Sequence, residues 1–168
     1  TFAIANTDAW TRSAGVEKIT AVANNAAVTI DLAASAETAG IVAVDLSAGT
    51  STTGNIIDVG LFTTAGVAMT GAATGATALT GGAGADTIIG GSLVDTIIGG
   101  AGADVITPAA GNDILTYLLT ADLFTGNALV DSIVGATGDT DVISVGTSGT
   151  TFAIANTDAW TRSAGVEN

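Results

Sequence analysis

Between residues 81 and 116 the chain is a run of nine-residue units, each repeating the same pattern of glycine, aspartate and a large apolar residue. The aspartate occupies the sixth position of each unit, and the apolar residue follows two positions later. These residues are Asp86, Asp95, Asp104 and Asp113, with Ile88, Ile97, Ile106 and Leu115. A unit this short cannot bury its apolar side chain alone, so successive units must stack. The pattern therefore predicts a solenoid with those four apolar residues in its interior.

The composition of the whole chain also favours thin layers of β-strands. Of the 168 residues, 48% are hydrophobic but only 4% are aromatic, and 23 are glycine. β-Branched side chains fit a pleated surface, whereas Ala and Gly cannot fill a thick core. Disorder would need a lower hydrophobicity, and a membrane span would need about 20 uninterrupted apolar residues. We therefore expect an all-β chain that does not insert into membranes.

Short strand-like runs continue outside the nonapeptides, separated by turn-forming Gly, Asn, Asp and Ser. We expect strands at Lys18–Val22, Val28–Leu32, Ile41–Leu46, Ile56–Val59, Val67–Thr70, Val142–Val145 and Phe152–Ala155. Helical structure is expected only over Ala33–Ala39 and Thr120–Leu123. The solenoid is thus predicted to extend well beyond the nonapeptides in both directions.

The charge of the chain restricts its partners. Thirteen Asp and three Glu stand against Arg12, Lys18 and Arg162, which gives a formal net charge of −13. Nucleic acid and anionic membrane surfaces are therefore disfavoured, and neutralisation must come from solvent cations or bound metal. The absence of Cys excludes disulfides, thiolate zinc sites and thiol catalysis, and there is no His either.

A second, longer repeat connects the two ends of the sequence. Residues 1–17 recur without change at 151–167, a spacing of 150 residues. The simplest interpretation is one full module followed by the opening of the next copy in a tandem array. The alternative is an artificial overlap of the two ends. The first residues include neither an initiator Met nor a basic signal segment, so we expect that they are not a natural start.

The nonapeptide pattern resembles G-G-x-G-x-D-x-U-x, the calcium-binding repeat of the RTX (hemolysin-type) family, in which U is a large apolar residue. The resemblance is strong over about 81–116 and weaker over about 72–146. It implies a right-handed parallel β-roll in which six residues form a turn and three form a strand. Two motifs make one coil of such a roll, so each loop stacks on the loop two motifs along. Calcium is a hard cation that takes 6 to 8 oxygen ligands from carboxylates and carbonyls.

This stacking implies one well-matched calcium site, between the loops 81–86 and 99–104. Asp86 and Asp104 would supply side-chain oxygens, and the coordination would be completed by the backbone carbonyls of Gly81, Ala83, Gly100 and Gly102. Glycine suits these turns because they need backbone conformations with φ > 0. The alternative is a metal-free solenoid with turn glycines and surface aspartates.

A second site would pair Asp95 with Asp113, with Gly90 and Gly111 in its loops. Its pattern is poorer, because Leu93 replaces a glycine and Pro108-Ala109 replaces a glycine pair. A third pairing of Asp104 with Asp122 lacks glycines in its second loop, and we do not expect it to bind metal. The other aspartates are expected to be solvated rim or turn carboxylates: Asp8, Asp31, Asp45, Asp58, Asp139 and Asp141.

The segment before the nonapeptides resembles modules of giant secreted RTX proteins, including bacterial S-layer and adhesin-like surface proteins. The residues that support this resemblance are Gly15-Val16-Glu17-Lys18-Ile19-Thr20, Ala36-Glu37-Thr38-Ala39-Gly40-Ile41 and Leu79-Thr80-Gly81-Gly82. We therefore divide the chain into a module start (1–17), calcium-free β-helix rungs (18–80), an RTX β-roll with calcium sites (81–146) and the start of the next copy (151–168).

The function implied is structural: an extracellular, secreted calcium-binding module on a bacterial surface, in an S-layer, sheath, filament or adhesin stalk. Its expected partners are neighbouring identical modules stacked head to tail. The family also implies export in an unfolded state by type I secretion, with folding on external calcium. The alternatives are the calcium-dependent RTX domain of a secreted hydrolase or toxin, and a carbohydrate- or ice-binding adhesin segment.

The rival functions have weaker support in the sequence. Solenoid lyases and hydrolases need basic residues or paired carboxylates in a cleft; with no His, no Cys and no G-x-S-x-G motif we expect no catalysis. Ice binding needs a regular Thr ladder, but Thr87 and Thr96 are followed by Val105 and Ile114 at equivalent positions. Trp10 and its copy Trp160 offer a possible platform for cell-surface polysaccharide, although packing against the next module is the commoner role of such an aromatic residue.

Overall fold

The computed structural model describes residues 2–4, 17–21, 26–52, 54–125, 128–135 and 140–146. Its helices are α1 (Ala34–Ala39) and α2 (Thr120–Leu123). Its strands are β1 (Phe2–Ile4), β2 (Lys18–Thr20), β3 (Val28–Asp31), β4 (Ala43–Asp45), β5 (Asn55–Asp58), β6 (Ala68–Thr70), β7 (Thr77–Thr80), β8 (Thr87–Gly91), β9 (Thr96–Ile98), β10 (Val105–Ala109), β11 (Ile114–Tyr117), β12 (Phe124–Thr125), β13 (Ala128–Leu129), β14 (Ser132–Gly135) and β15 (Val142–Val145). No helix among these residues is long and apolar enough to cross a membrane.

The strands form two parallel sheets that the chain visits alternately. The seven-stranded sheet has the order β1-β3-β5-β7-β9-β11-β15, and the six-stranded sheet has the order β14-β10-β8-β6-β4-β2. Each coil therefore places one strand in each sheet, which is the arrangement of a parallel β-solenoid. Only β12 and β13 lie outside it, as a short antiparallel hairpin. The predicted all-β parallel solenoid is confirmed.

The length of a coil changes along the chain. In the nonapeptides, residues at equivalent positions of successive coils are 18 apart, as between Asp86 and Asp104. Before them a coil takes up to 27 residues, as between Val28 and Asn55. After them the spacing returns to 27 and 28. Eighteen residues are two nonapeptides, so the short repeat makes the most compact coils of the molecule.

The core is a narrow column of inward side chains between the two sheets. Every second residue of a strand points to it, because side chains alternate between the faces of a sheet. The seven-stranded sheet contributes Ile30, Ile57, Leu79, Ile97 and Leu115, and the six-stranded sheet contributes Val44, Met69, Ile88, Ile106 and Ile133. The four nonapeptide apolar residues predicted to face inward are all buried.

Most predicted elements are present at or near their predicted positions. Predicted strands near 18–22, 28–32, 41–46, 56–59, 67–70 and 142–145 correspond to β2, β3, β4, β5, β6 and β15, and both predicted helices are present. The predicted strand Phe152–Ala155 lies outside the described residues. The right-handed sense of the coil stays a prediction.

A single carboxylate joins helix α1 to the loop of the next coil. The oxygens of Glu37 accept the backbone N–H groups of Thr63 (2.9 Å), Thr64 (2.8 Å) and Ala65 (2.7 Å). They also accept the hydroxyls of both threonines, at 3.2 and 2.9 Å. These donors, chiefly the N–H groups of Thr63 and Ala65, lower the pKa of Glu37 from 4.5 to about 2. The ionised carboxylate therefore stabilises the contact between these coils.

We predict that Glu37→Gln lowers the melting temperature in calcium at pH 7 by a few degrees. A group whose pKa is lowered on folding stabilises the protein above its unfolded-state pKa, and this stabilisation is lost as the pH falls through the folded-state value. The difference between wild type and variant should therefore shrink between pH 4.5 and about 2. Thermal melts across this range measure it, with the exposed Glu17→Gln as the control. Equal effects of the two substitutions would contradict the role of Glu37.

Candidate metal centre

Six buried aspartates stack in two columns along the solenoid. Each lies immediately before a strand, so it occupies the same place in successive coils. The first column, at the six-stranded sheet, contains Asp86, Asp104 and Asp131; the second column, at the seven-stranded sheet, contains Asp95, Asp113 and Asp141. All six are at most 5% exposed. Carboxylates are rarely this buried unless something compensates their charge.

One oxygen of each carboxylate holds the preceding coil. In the first column, Asp104 Oδ1 accepts the N–H of Asp86 at 2.8 Å, and Asp131 Oδ1 accepts the N–H of Asp104 at 2.9 Å. The second column repeats this with Asp113 and Asp95 at 2.7 Å, and with Asp141 and Asp113 at 3.1 Å. The side chains thus bond the coils together in addition to the strand ladders.

The second oxygens of Asp95 and Asp104 are where a cation is needed. Asp86 Oδ2 accepts the N–H of Gly82 at 2.9 Å. Among the residues that the structure describes, the Oδ2 atoms of Asp95 and Asp104 are buried and have no hydrogen-bond partner. An unpaired buried polar atom costs about 1–3 kcal/mol, and more if it is charged. A bound cation would remove this cost.

The pKa values of the column aspartates show the same cost of burying an ionised carboxylate. Burial, with a smaller contribution from the charge of Asp113, raises the pKa of Asp95 from 3.8 to about 7. Burial also raises the pKa of Asp104 to about 7, and the charges of Asp131 and Asp86 add to the effect. Stacked carboxylates in a dry interior repel each other. The ionised columns therefore need positive charge beside them.

Glycine is required where the loops meet these carboxylates. A Cβ on Gly81 would collide with Asp86 Oδ2 and with the carbonyl oxygen of Gly99 in the next coil. Gly100 and Gly102 have φ of +97° and +123°, which L side chains rarely adopt. The glycine pattern of the nonapeptide therefore follows from close stacking and from positive φ.

The loops 81–86 and 99–104 lie on each other, as the two-motif stacking predicts. The N–H of Ala101 donates to the carbonyl of Gly82 at 3.0 Å. A Cβ on Gly100 would meet the carbonyl oxygens of Gly81 and Gly82. Asp86 and Asp104 are thereby brought together with a set of backbone carbonyls, which is an all-oxygen donor set.

Comparison with family models identifies these loops. The family model described as RTX calcium-binding nonapeptide repeat (4 copies) matches residues 74–92 and 80–115. Residues 74–115 are RTX calcium-binding nonapeptide repeats. The match spans 42 of the 168 residues. No curated protein and no solved structure matches the chain.

RTX nonapeptides bind calcium, and the residues present fit that ion. Calcium prefers carboxylate and carbonyl oxygens. Asp86 and Asp104 offer the carboxylates, and the loops that carry them offer backbone carbonyls. Among the described residues, no group of three or more acidic, His or Cys side chains is placed so that it could hold a metal ion. Calcium would therefore be held by carboxylate pairs and carbonyls. The assignment of the Gly81, Ala83, Gly100 and Gly102 carbonyls as ligands stays a prediction; Ala83 is exposed and its N–H donates to Phe62 O at 2.9 Å.

The second RTX pair is also assembled, in a less regular loop. Asp95 and Asp113 stack, and Gly90 packs against the carbonyl of Pro108. Ala109, which replaces a glycine, has a φ of +75° and is the only non-glycine with positive φ among the described residues. Gly111 has a φ of +138° and lies against the carbonyl oxygen of Leu93. The predicted ligand role of these residues stays a prediction.

One expectation about the remaining aspartates is wrong, and Asp104 has a different column neighbour from the one considered for the third pairing. The neighbour of Asp104 in the next coil is Asp131 and not Asp122, because α2 and the β12–β13 hairpin lengthen that coil to 27 residues. Asp141 was expected at the solvated rim, but it is buried beneath Asp113. Asp131 and Asp141 each precede an inward apolar residue by two positions, as in the nonapeptides, and this spacing is the signal that could have found them.

The other predicted rim or turn carboxylates are partly exposed where they are described. Asp45 pairs with Lys18 at 2.8 Å and accepts the N–H of Ser47, and Asp58 accepts the N–H of Gly60. Asp31 lies at the end of β3 and is also partly exposed. Asp8 and Asp139 lie outside the described residues.

Sequence reasoning also missed that the second column continues toward the N-terminal coils with neutral residues. Thr77 and Asn55 occupy its next two positions. The N–H of Thr77 donates to Asp95 Oδ1 at 2.6 Å, and Asn55 Oδ1 accepts the N–H of Val28 at 3.1 Å. At Asn55 the same coil-to-coil bond is therefore made by a neutral side chain, whereas the bond from Thr77 is accepted by the carboxylate of Asp95.

We predict opposite effects of Asp104→Asn with and without calcium. Asn keeps an oxygen for the N–H of Asp86 but removes the buried charge, so in EDTA the variant should melt at a higher temperature than wild type. In calcium it should bind at least about tenfold more weakly, a loss of about 1.4 kcal/mol or more. Calorimetric titration and thermal melts measure both. The control is Asp58→Asn, a turn residue outside the columns, and equal losses of affinity in the two variants would refute the site.

Proposed function

We propose that this chain is a structural, non-catalytic segment of an extracellular bacterial surface protein, stiffened by calcium and stacked head to tail on identical modules. The observation that carries the proposal is the pair of buried carboxylate columns, because they connect successive coils and need cations. A rod with this interior is rigid only where calcium is supplied. An S-layer, sheath, filament or adhesin stalk uses that property.

Calcium dependence suits a protein that is secreted before it folds. RTX repeat proteins are typically exported by type I secretion, which suggests an extracellular location. Metal binding to a site that is absent in the unfolded chain contributes folding free energy. The columns would therefore stay unfolded where calcium is scarce and fold outside the cell. The net charge of −13 acts in the same direction, since the chain repels itself until cations bind.

Head-to-tail stacking is supported by the sheet edges and by the repeated sequence. At one end of the described solenoid, β14 and β15 are edge strands; at the other, β1 and β2 are. Open edges favour strand-on-strand association unless they are covered. In an array with a 150-residue period, the copy of 1–17 that begins at 151 follows directly, so the next module would cover the last coil.

A structural role is also favoured over catalysis and ligand recognition. The chain has no His or Cys, and the described cation Lys18 is engaged by Asp45. On the outer faces Thr87 is aligned with Val105, and Thr96 with Ile114, so threonine forms no continuous ladder there. Trp10 and Trp160, the residues suggested for polysaccharide, lie outside the described part. The calcium-dependent domain of a secreted hydrolase or toxin is the alternative, and the sequence that flanks the chain distinguishes the two.

We predict that the chain associates end to end in millimolar calcium and that Val145→Pro weakens this association. The N–H groups of Val142 and Gly146 donate to β11, at 2.8 Å to Asp113 O and 2.9 Å to Tyr117 O. Because N–H directions alternate along a strand, the N–H of Val145 points away from β11. Proline there removes an outward donor and leaves the ladder to β11 intact. Light scattering over a concentration series should show association weakened by up to about tenfold.

The control is Ser144→Pro, because the same alternation points the N–H of Ser144 toward β11, as for Val142 and Gly146. This variant should lose folded structure, as judged by circular dichroism. A wild-type chain that stays monomeric at high concentration in calcium would contradict head-to-tail stacking, as would a Val145→Pro variant that associates like wild type.

A further inference from the structure

The last aspartate of the first column has a partner that the others lack. The hydroxyl of Tyr117 donates to Asp131 Oδ2 at 2.9 Å, while Asp131 Oδ1 accepts the N–H of Asp104. Both oxygens of Asp131 therefore have protein donors. One coil earlier, Asp104 Oδ2 is buried with no hydrogen-bond partner among the described residues. Asp86 also has protein donors on both oxygens, but these are the backbone N–H groups of Val67 and Gly82. Among the described residues of the first column, Asp131 is the one whose second oxygen receives a side-chain donor.

Tyr117 stands in the place of a nonapeptide glycine. It follows Leu115 by two residues, as Gly99 follows Ile97 and Gly81 follows Leu79, and these three apolar residues are aligned in the sheet. In the RTX coils the bare Cα of the glycine lies against Oδ2 of the aspartate in the loop that follows, as Gly99 does with Asp104. In the last coil, the phenol ring reaches the equivalent oxygen instead.

The loop between Tyr117 and Asp131 is also unlike a calcium loop. Residues 118–130 contain no glycine pair, and they carry α2 and the hairpin in place of the six-residue turn. Tyr117 is 2% exposed and Asp131 is 5% exposed. Burial raises the pKa of Tyr117 far above its usual value, so the phenol keeps its proton and remains a donor.

We propose that the Tyr117 hydroxyl takes the place of a cation at Asp131, ends the calcium-dependent part of the first column and holds the step from Asp104 to Asp131 without metal. A hydrogen bond from a neutral donor to a carboxylate is among the stronger ones in proteins. It stabilises the charge of Asp131 where the loop offers no glycine-rich carbonyl turn. Tyr117 is a positioning residue in this account, and it limits where along the column calcium is required.

Tyr117→Phe tests the proposal, because it removes the hydroxyl and keeps the ring. Unfolding is measured by denaturant at a series of free calcium concentrations. The dependence of the unfolding free energy on the logarithm of calcium concentration counts the ions that are bound on folding. In the variant this slope should rise by about one ion, because Asp131 now needs a cation. The loss of stability should be large at micromolar calcium and small at millimolar calcium.

Two controls separate this role from that of an ordinary core hydrogen bond. Ile30→Val trims a buried core side chain in β3, outside the calcium loops, so it should lower stability equally at all calcium concentrations. Adding Asp131→Asn to Tyr117→Phe removes the charge, and the slope should return to the wild-type value. A Tyr117→Phe variant with the wild-type slope and a uniform loss of stability would overturn the proposal.

Asp131→Asn alone gives an answer even if Tyr117→Phe does not fold. The proposal expects this variant to bind as many calcium ions as wild type, with unchanged affinity, as measured by calorimetric titration. If Asp131→Asn instead loses a calcium ion, Asp131 is a calcium ligand and the proposal is wrong. The same titration of wild type measures calcium binding by the RTX repeats themselves. A wild type that binds no calcium would contradict the proposed function, whereas loss of one ion in Asp131→Asn would contradict the role of Tyr117.

Discussion

The structure depends on how the charge of six buried carboxylates is compensated. Each of these carboxylates accepts a backbone N–H of the preceding coil, so the columns contribute directly to holding the coils together. The same burial makes the ionised form costly, as the raised pKa values of Asp95 and Asp104 indicate. The solenoid therefore combines a structural bond with an electrostatic penalty in one side chain. Calcium, the ion that RTX repeats bind, removes the penalty and keeps the bond.

Three ways of making the same coil-to-coil contact occur along one chain. Before the RTX segment, the second column makes this contact through the neutral side chain of Asn55, whose Oδ1 accepts the N–H of Val28. Inside the segment, the aspartates need cations, and the glycines leave room at their second oxygens. At Asp131, a tyrosine hydroxyl supplies the donor. In the first column, the proposed dependence on calcium therefore ends before Asp131, and in the second column it begins after Asn55.

The sequence predicted the regular part of this arrangement well. A strict period of nine, with an apolar residue two positions after each aspartate, was enough to place four inward residues, and the resemblance to RTX repeats, with two motifs per coil, paired Asp86 with Asp104. The irregular part was harder, since Asp131 and Asp141 follow their column neighbours by 27 and 28 residues in place of the 18 of a two-motif coil. Asp141 was assigned to the surface because it lies outside the nine-residue register, although Ile143 follows it at the nonapeptide spacing. Its burial results from pairing between distant strands.

The residues that end or replace the charged rungs could not be read from the pattern. The nine-residue period places Tyr117 at a glycine position, but its contact with Asp131 depends on the insertion that separates the two residues. Glu37 meets the loop 63–65 across a coil of about 27 residues, a contact that no short motif encodes. Such contacts depend on coil length, and coil length outside the nonapeptides varies with each insertion.

Amide hydrogen exchange with and without calcium tests the central claim most directly. The amides of Asp86, Asp95 and Asp113 donate within the columns to Asp104, Asp113 and Asp141. They should be strongly protected in calcium and should lose protection in EDTA, together with the loops 81–86 and 99–104. Peptides from 28–79, whose rungs carry no column aspartate, provide the internal comparison and should retain more protection in EDTA. Unchanged protection of 81–116 in EDTA would contradict the account, because the carboxylate columns would then be stable without calcium.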